Sequence, residues 1–188
     1  MLTVRTHTSL DLDLLAEIAR DQGTPTYVYD GRVLDAGVHR WVDAVGDPAR
    51  SIAAHAGTLV TRVLYRRERD GHPALICDGG FTDFGRFALY GAEHGIEPVA
   101  GELEGPATVE VLGPTCESGD KLGTGRRLHG VRPGDLLAVR DVGAYGFVMA
   151  SNYNARPRPA EILVDDTGWR WVRFRETLED LWRGEIAG

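Results

Sequence analysis

The chain has 188 residues, 43% of them hydrophobic and 26% charged, with a formal net charge of −7. That length and composition fit one large or two small globular units. The negative balance argues against an electrostatic grip on nucleic acid, no apolar run reaches the roughly 18 residues of a membrane span, and two cysteines are too few for a disulfide framework.

The opening stretch MLTVRTHTSLDLDLL lacks the continuous apolar core of a signal peptide, so a reduced cytoplasmic protein is the expectation. Ser9 is placed to cap a first helix, with Asp11 and Asp13 in its first turn and Leu14, Leu15 and Ile18 on its apolar face. Gly23 and Pro25 end it. TPTYVYD then sets Tyr27 and Tyr29 against Val28 with the period of a strand. Asp30 is placed to cap a second helix, its apolar spacing carried by Leu34, Val38, Trp41, Val42 and Val45.

From about residue 51 the texture turns to β. TLVTRVLYR, PALICD, ATVEVL, DLLAVR, YGFVMA, EILVD and WRWVRF are short, rich in β-formers and separated by Gly, Pro or Asp. TLEDLWRGE reads as a closing helix. The expectation is a mainly β fold, a Greek-key-like barrel with short flanking helices, in a single domain. Residues 1–46 would pack as helix, strand and helix on a barrel built from residues 47–188.

Long runs of this sequence carry a specific likeness. GTPTYVYDGRVLDAG, AGTLVTRVLY, ICDGGFTDFGRFALYGAEH, GPTCESGD, PGDLLAVRDVGAYGFVMASNYNARPRPAEILVD and RETLEDL together resemble the diaminopimelate decarboxylase family, alanine-racemase-like pyridoxal-phosphate enzymes. The likeness covers roughly residues 23–181. In that family a (β/α)₈ barrel separates the first helix from the β-domain. Here RWVDAVG runs straight into DPARSI, which resembles a worn form of the family's Glu-Pro-Gly-Arg-Ser motif, with Asp47 for the glutamate and Ala49 for the glycine.

The resemblance therefore implies a β-domain kept and a barrel lost. The Schiff-base lysine, the stacking histidine and the phosphate loop belong to the missing part. The only lysine, Lys121, falls just after CESGD and reads as a solvated turn residue. Pyridoxal phosphate supplies the electron sink in this chemistry, so no bound cofactor is expected. No His, Cys or carboxylate spacing is strong enough to claim a metal.

The substrate side is kept. By resemblance, Arg50, Arg86 and Tyr90 match substrate-binding positions, and Tyr145 matches a tyrosine near cofactor and substrate. Cys116 and Glu117 match the pair that enters a neighbouring subunit's active site across the dimer. Guanidinium suits a carboxylate, and a thiol beside a carboxylate suits proton transfer. The same Cys–Glu pair also reads as a plain polar turn. His55 reads first as a structural histidine, with a new base or a metal or haem ligand as the alternative. Cys77 reads as core, and Trp169 and Trp171 as sheet packing.

Two functions are expected from this pattern. One is a cofactor-independent acid/base enzyme, a homodimer acting on an amino-acid-like carboxylate in specialised metabolism, with Cys116, Glu117 and Tyr145 as catalytic groups. The other is an accessory subunit that supplies Cys116 and Glu117 to a barrel-bearing pyridoxal-phosphate decarboxylase.

Overall fold

The computed structural model describes residues 10–41, 52–69, 71–100, 108–128 and 130–186. Helix α1 (Leu12–Gln22) is capped by Asp11, whose Oδ1 accepts a hydrogen bond from the Asp13 amide at 3.1 Å. The expected cap, Ser9, lies outside the described residues. Gly23 closes the helix at φ 72°, a conformation that costs a glycine nothing. Strand β1 (Thr26–Asp30) follows, then helix α2 (Gly31–Trp41), where the buried Asp30 carboxylate accepts from the amides of Arg32 and Val33.

The expected apolar face of α2 is only partly realised. Val38 is exposed, because the helix instead brings Gly37 against the backbone of Ile52. Val42 and Val45 lie outside the described residues, as does the Trp41 side chain.

The rest is sheet: β2 (Gly57–Arg69), β3 (His72–Cys77), β4 (Ile96–Pro98), β5 (Val109–Leu112), β6 (Lys121–Arg126), β7 (Leu136–Arg140), β8 (Ala160–Asp165) and β9 (Gly168–Arg173). Two short helices, α3 (Arg86–Tyr90) and α4 (Leu178–Leu181), complete the elements used below. Strand β2 is the hinge of the architecture. Its first half pairs with β1 and β7, its second half with β3, and the register shifts between Val63 and Tyr65. A bulge of this kind bends a strand from one sheet into another.

One arm therefore runs β4–β7–β2–β1–β8–β9 and the other β2–β3–β5–β6. The fold is mainly β, as expected, but the sheet does not close into a barrel. Among the described residues β4, β6 and β9 each have one partner strand. Strands β4 and β6 were not foreseen, and the expected strand YGFVMA is instead a tight turn at Phe147–Met149.

The alternation along the strands explains the two cores. Tyr27, Leu59, Val139, Cys77 and Phe84 face the space between the arms. Val28, Val60, Ala138 and Ile162 face the opposite side, where Leu15, Ile18 and Ala19 of α1 cover them and Trp169 and Trp171 pack at the edge. Strand β1 sits between β2 and β8, so the N-terminal strand is part of the sheet. The stretch from Gly31 to Ala56 that links β1 to β2 is far too short for a (β/α)₈ barrel of about 250 residues. No helix among the described residues is long and apolar enough to cross a membrane.

Candidate functional site

One cavity holds Cys116 and Glu117 and a second holds Arg86, Tyr145 and His55, and the two share no lining residue. The first, of about 510 Å³, is lined by the GPTCESGD turn together with Tyr65, Arg67, Glu110 and Lys121. The turn is organised by one buried side chain, Asp120. Its Oδ1 accepts from the Phe81 amide at 2.7 Å, and its Oδ2 accepts from the Thr115 amide at 2.8 Å and the Thr115 hydroxyl at 2.6 Å. A buried carboxylate with its acceptors filled is a rigid anchor. It leaves Cys116 exposed at the tip, with Glu117 beside it. The Tyr153 hydroxyl donates to Glu117 Oε1 at 2.6 Å, which holds that tyrosine's own pKa up.

Lys121 does not sit in a solvated turn. It opens β6 and its Nζ donates to Glu110 Oε1 at 2.8 Å. The chain's one lysine is thus ion-paired and lines the Cys116 cavity. Arg86 and Tyr145 lie elsewhere, so the residues present do not fit a Schiff-base site beside them.

The second cavity, of about 280 Å³, is lined by Arg86, Tyr145, His55, Asp141, Glu93 and His94, among others. A neighbouring depression of about 340 Å³ joins Arg86 and Tyr145 to Tyr90 and Met149. Arg86 begins α3, and its guanidinium carbon lies 5.6 Å from the centroid of the Tyr145 ring. Its Nε is buried with no hydrogen-bond partner among the described residues. A permanent cation that lines a cavity beside an aromatic ring suits an anion.

Across the cavity, His55 Nδ1 lies 2.8 Å from Asp141 Oδ1. A carboxylate accepts, so Nδ1–H donates, and Nε2 has no hydrogen-bond partner among the described residues. His94 donates its Nδ1–H to the Arg140 carbonyl, and burial pulls its pKa down. Glu93 accepts from Arg126. Asp141 and Tyr145 both adopt left-handed backbone, φ 61° and 57°. Such strain in non-glycine residues concentrates at functional sites.

The structure thus brings Arg86, Tyr90 and Tyr145 together and places Cys116 and Glu117 in a different cavity. Arg50 lies outside the described residues. Sequence reasoning did not foresee Asp120 as the anchor of the Cys116 turn, Tyr153 as the partner of Glu117, or Asp141 as the partner of His55. Only the Ser-Gly-Asp ending of the turn carried any signal for the first, and nothing local carried the others.

Residues 26–143 match the family model of the pyridoxal-dependent decarboxylase C-terminal sheet domain. The chain belongs to this family. Diaminopimelate decarboxylase of Helicobacter pylori J99 is 45% identical over 145 residues, which are 76% of this chain and 35% of that protein. The Pseudomonas aeruginosa enzyme is 46% identical over 141 residues, 75% of this chain and 34% of that protein. Among solved structures, the M. jannaschii diaminopimelate decarboxylase in complex with L-lysine superposes with a TM-score of 0.70 at 37% identity, covering 80% of this chain and 36% of its own. The Helicobacter pylori enzyme with L-lysine gives 0.66 at 43% identity, covering 71% and 33%. The chain spans about a third of the length of the curated relatives it matches. Arg86, Tyr90, Cys116 and Glu117 lie within the family match, and Tyr145 lies two residues beyond its end.

Proposed function

We propose that this chain binds an amino-acid-like carboxylate in the Arg86 cavity and acts on it by acid/base chemistry that needs no pyridoxal phosphate. The observation that carries this reading is the Arg86 guanidinium, which lines a cavity beside the Tyr145 ring and whose Nε has no hydrogen-bond partner among the described residues. A carboxylate entering there neutralises the cation. Tyr90 and Met149 border the adjoining depression, where the remainder of a small acid would lie. The engagement of Lys121 by Glu110 supports chemistry that does not run through a Schiff base.

L-lysine, the molecule bound to two of the solved relatives, is the natural first probe. Titrated calorimetrically, it is expected to bind the wild-type chain. Arg86→Ala should weaken it by ~10–100-fold, the worth of a charged hydrogen bond of about 1.5–3 kcal/mol. No binding of L-lysine or of any other amino acid to the wild type would overturn the reading.

Cys116 and Glu117 enter this scheme from a second copy of the chain, since within one chain they line another cavity. The exposed apolar side chains Leu89 and Tyr90, on the helix that carries Arg86, suit burial in a homodimer. The same outward presentation of Cys116 favours a second reading. A rigid turn anchored by Asp120 with an exposed thiol at its tip could complete the site of a full-length pyridoxal-dependent decarboxylase. Co-elution with such an enzyme, lost on Cys116→Arg, supports that role, and a chain that elutes alone or as a homodimer in the enzyme's presence excludes it.

A further inference from the structure

The Arg86 cavity contains a group that the carboxylate-binding reading leaves unused. His55 and Asp141 are 86 positions apart in sequence, and their side chains meet on the cavity wall at 2.8 Å. Two features lock this pairing. The turn Ala54–Ala56 that carries His55 is zipped to the loop that carries Asp141: the Gly143 amide donates to the Ala54 carbonyl and the Val142 amide to the Gly57 carbonyl, both at 3.0 Å. Asp141 itself is held in left-handed backbone, which aspartate tolerates but which a loop does not need for closure alone. Neither His55 nor Asp141 is buried, so the pair is not a core hydrogen bond sealed from water.

The chemistry of such a pair is specific. The carboxylate takes Nδ1–H and fixes the tautomer, and Nε2 becomes the proton acceptor, as in any oriented histidine base. The wall that presents it also holds the Arg86 guanidinium, whose Nε has no hydrogen-bond partner among the described residues. We propose that His55 is the proton-transferring base of this cavity, that Asp141 is its positioning residue, and that the substrate is a small carboxylate carrying its own electron sink, a 2-oxo or 2-imino acid. The proposal rests on the reading of Arg86 as the carboxylate anchor.

The substrate class follows from the acid strength required. Removing a proton from carbon leaves an electron pair, and no lysine beside Arg86 is available to build a sink on a cofactor. The pair must move into a carbonyl or imine of the substrate. In the step, the C3–H bond of a 2-oxo acid breaks, its electrons form the enolate with the C2 carbonyl, and the proton goes to His55 Nε2. The reverse step returns a solvent-exchanged proton to carbon. No oxidant, reductant or leaving group is needed. A cavity of about 280 Å³ suits an acid of a few carbons.

The test is proton–deuterium exchange at C3 of 2-oxobutyrate in D₂O, followed by proton NMR, beside L-lysine affinity measured on the same samples. Wild-type chain should accelerate exchange over buffer. His55→Gln, and His55→Asn as a second variant, should lower the rate by ~10²-fold or more, the usual worth of a positioned base, while leaving L-lysine affinity unchanged. Asp141→Asn should lower exchange with the same unchanged affinity, and Asp141→Glu should restore part of it. A merely structural role for Asp141 would move both readouts together. L-lysine binding without exchange by the wild type overturns the base assignment, as does exchange that survives both His55 variants. Absence of binding by L-lysine and by every other amino acid, by contrast, removes the anchor reading.

Discussion

The Arg86 guanidinium lies over the Tyr145 ring, 5.6 Å from its centroid, and that ring is held there by left-handed backbone at residue 145. The two effects separate on mutation. Tyr145→Asn places a residue that tolerates the conformation, so stability should hold or rise, within about 1 kcal/mol. The lost cation–π contact, worth about 0.5–1 kcal/mol, should weaken carboxylate binding by roughly two- to fivefold. Thermal melting and calorimetric titration on one preparation check both. A variant that loses stability and affinity in parallel would make Tyr145 a packing residue.

The Cys116 turn hangs on Asp120, and the two thiols of the chain differ sharply. Cys116 is exposed, whereas burial, with Asp78 beside it, pushes the Cys77 thiol up to about 12. A thiol-reactive chromogenic disulfide should therefore consume one equivalent at once from native protein, and the second only after unfolding. Asp120→Ala removes the acceptor for two amides and a hydroxyl, and should lower urea-unfolding stability by ~2–4 kcal/mol. Two fast thiols in the native wild type would contradict the burial of Cys77.

Gly143 and Gly57 let the His55 turn and the Asp141 loop touch backbone to backbone. A Cβ on Gly143 would meet the Ala53 carbonyl, which belongs to that turn and cannot swing aside like a side-chain tip. Gly143→Ala should cost ~3 kcal/mol and, with it, any activity that depends on the His55–Asp141 pair. Gly119→Ala, where an added Cβ meets nothing within 4 Å, is the control and should stay within about 0.5 kcal/mol. Equal melting temperatures for the two variants would sink the close-approach argument.

What the sequence disclosed follows from what is local. The Tyr27–Val28–Tyr29 alternation is visible because each face of β1 meets its own core, one between the arms and one under α1. The open sheet is not visible, because TLVTRVLYR reads as one uniform strand while the shift between Val63 and Tyr65 sends its halves into different arms. YGFVMA has the composition of a strand, yet the left-handed Tyr145 just before Gly146 turns the chain too sharply for one. Arg86, Tyr90 and Tyr145 were found through likeness to a family, and the fold does gather them. The same likeness offered Cys116 and Glu117, which the fold keeps apart from them. The His55–Asp141 pair joins residues from either end of the long middle of the chain, a contact that no periodicity encodes.

Two carboxyls give stability opposite slopes in acid. Glu176 accepts from Arg158 Nη2 at 2.5 Å, from Arg158 Nε and amide at 2.8 Å, and from Asn152, which ties the 152–158 loop to the segment leading into α4. The Arg158 hydrogen bonds hold its pKa at about 2, below the ordinary 4.5. A depressed carboxyl stabilises the fold fully above its unfolded value, and that contribution is lost as pH falls from about 4.5 toward 2. Asp83 runs the other way. Burial raises it from 3.8 to about 6, so the folded state holds its proton more tightly, and stability falls as pH rises between those values. Glu176→Gln should therefore be less stable than wild type at pH 6, by an amount that solvent screening reduces, and converge on it near pH 2–3. Asp83→Asn keeps a carbonyl acceptor for the Gly80 amide, and should gain on wild type as pH rises from about 4 to 7. Urea midpoints taken at half-unit steps from pH 2 to pH 7 give both curves. Parallel profiles for wild type and Asp83→Asn would mean that Asp83 is ionised in the fold and is paid for by Arg156, whose Nη2 lies 3.9 Å away.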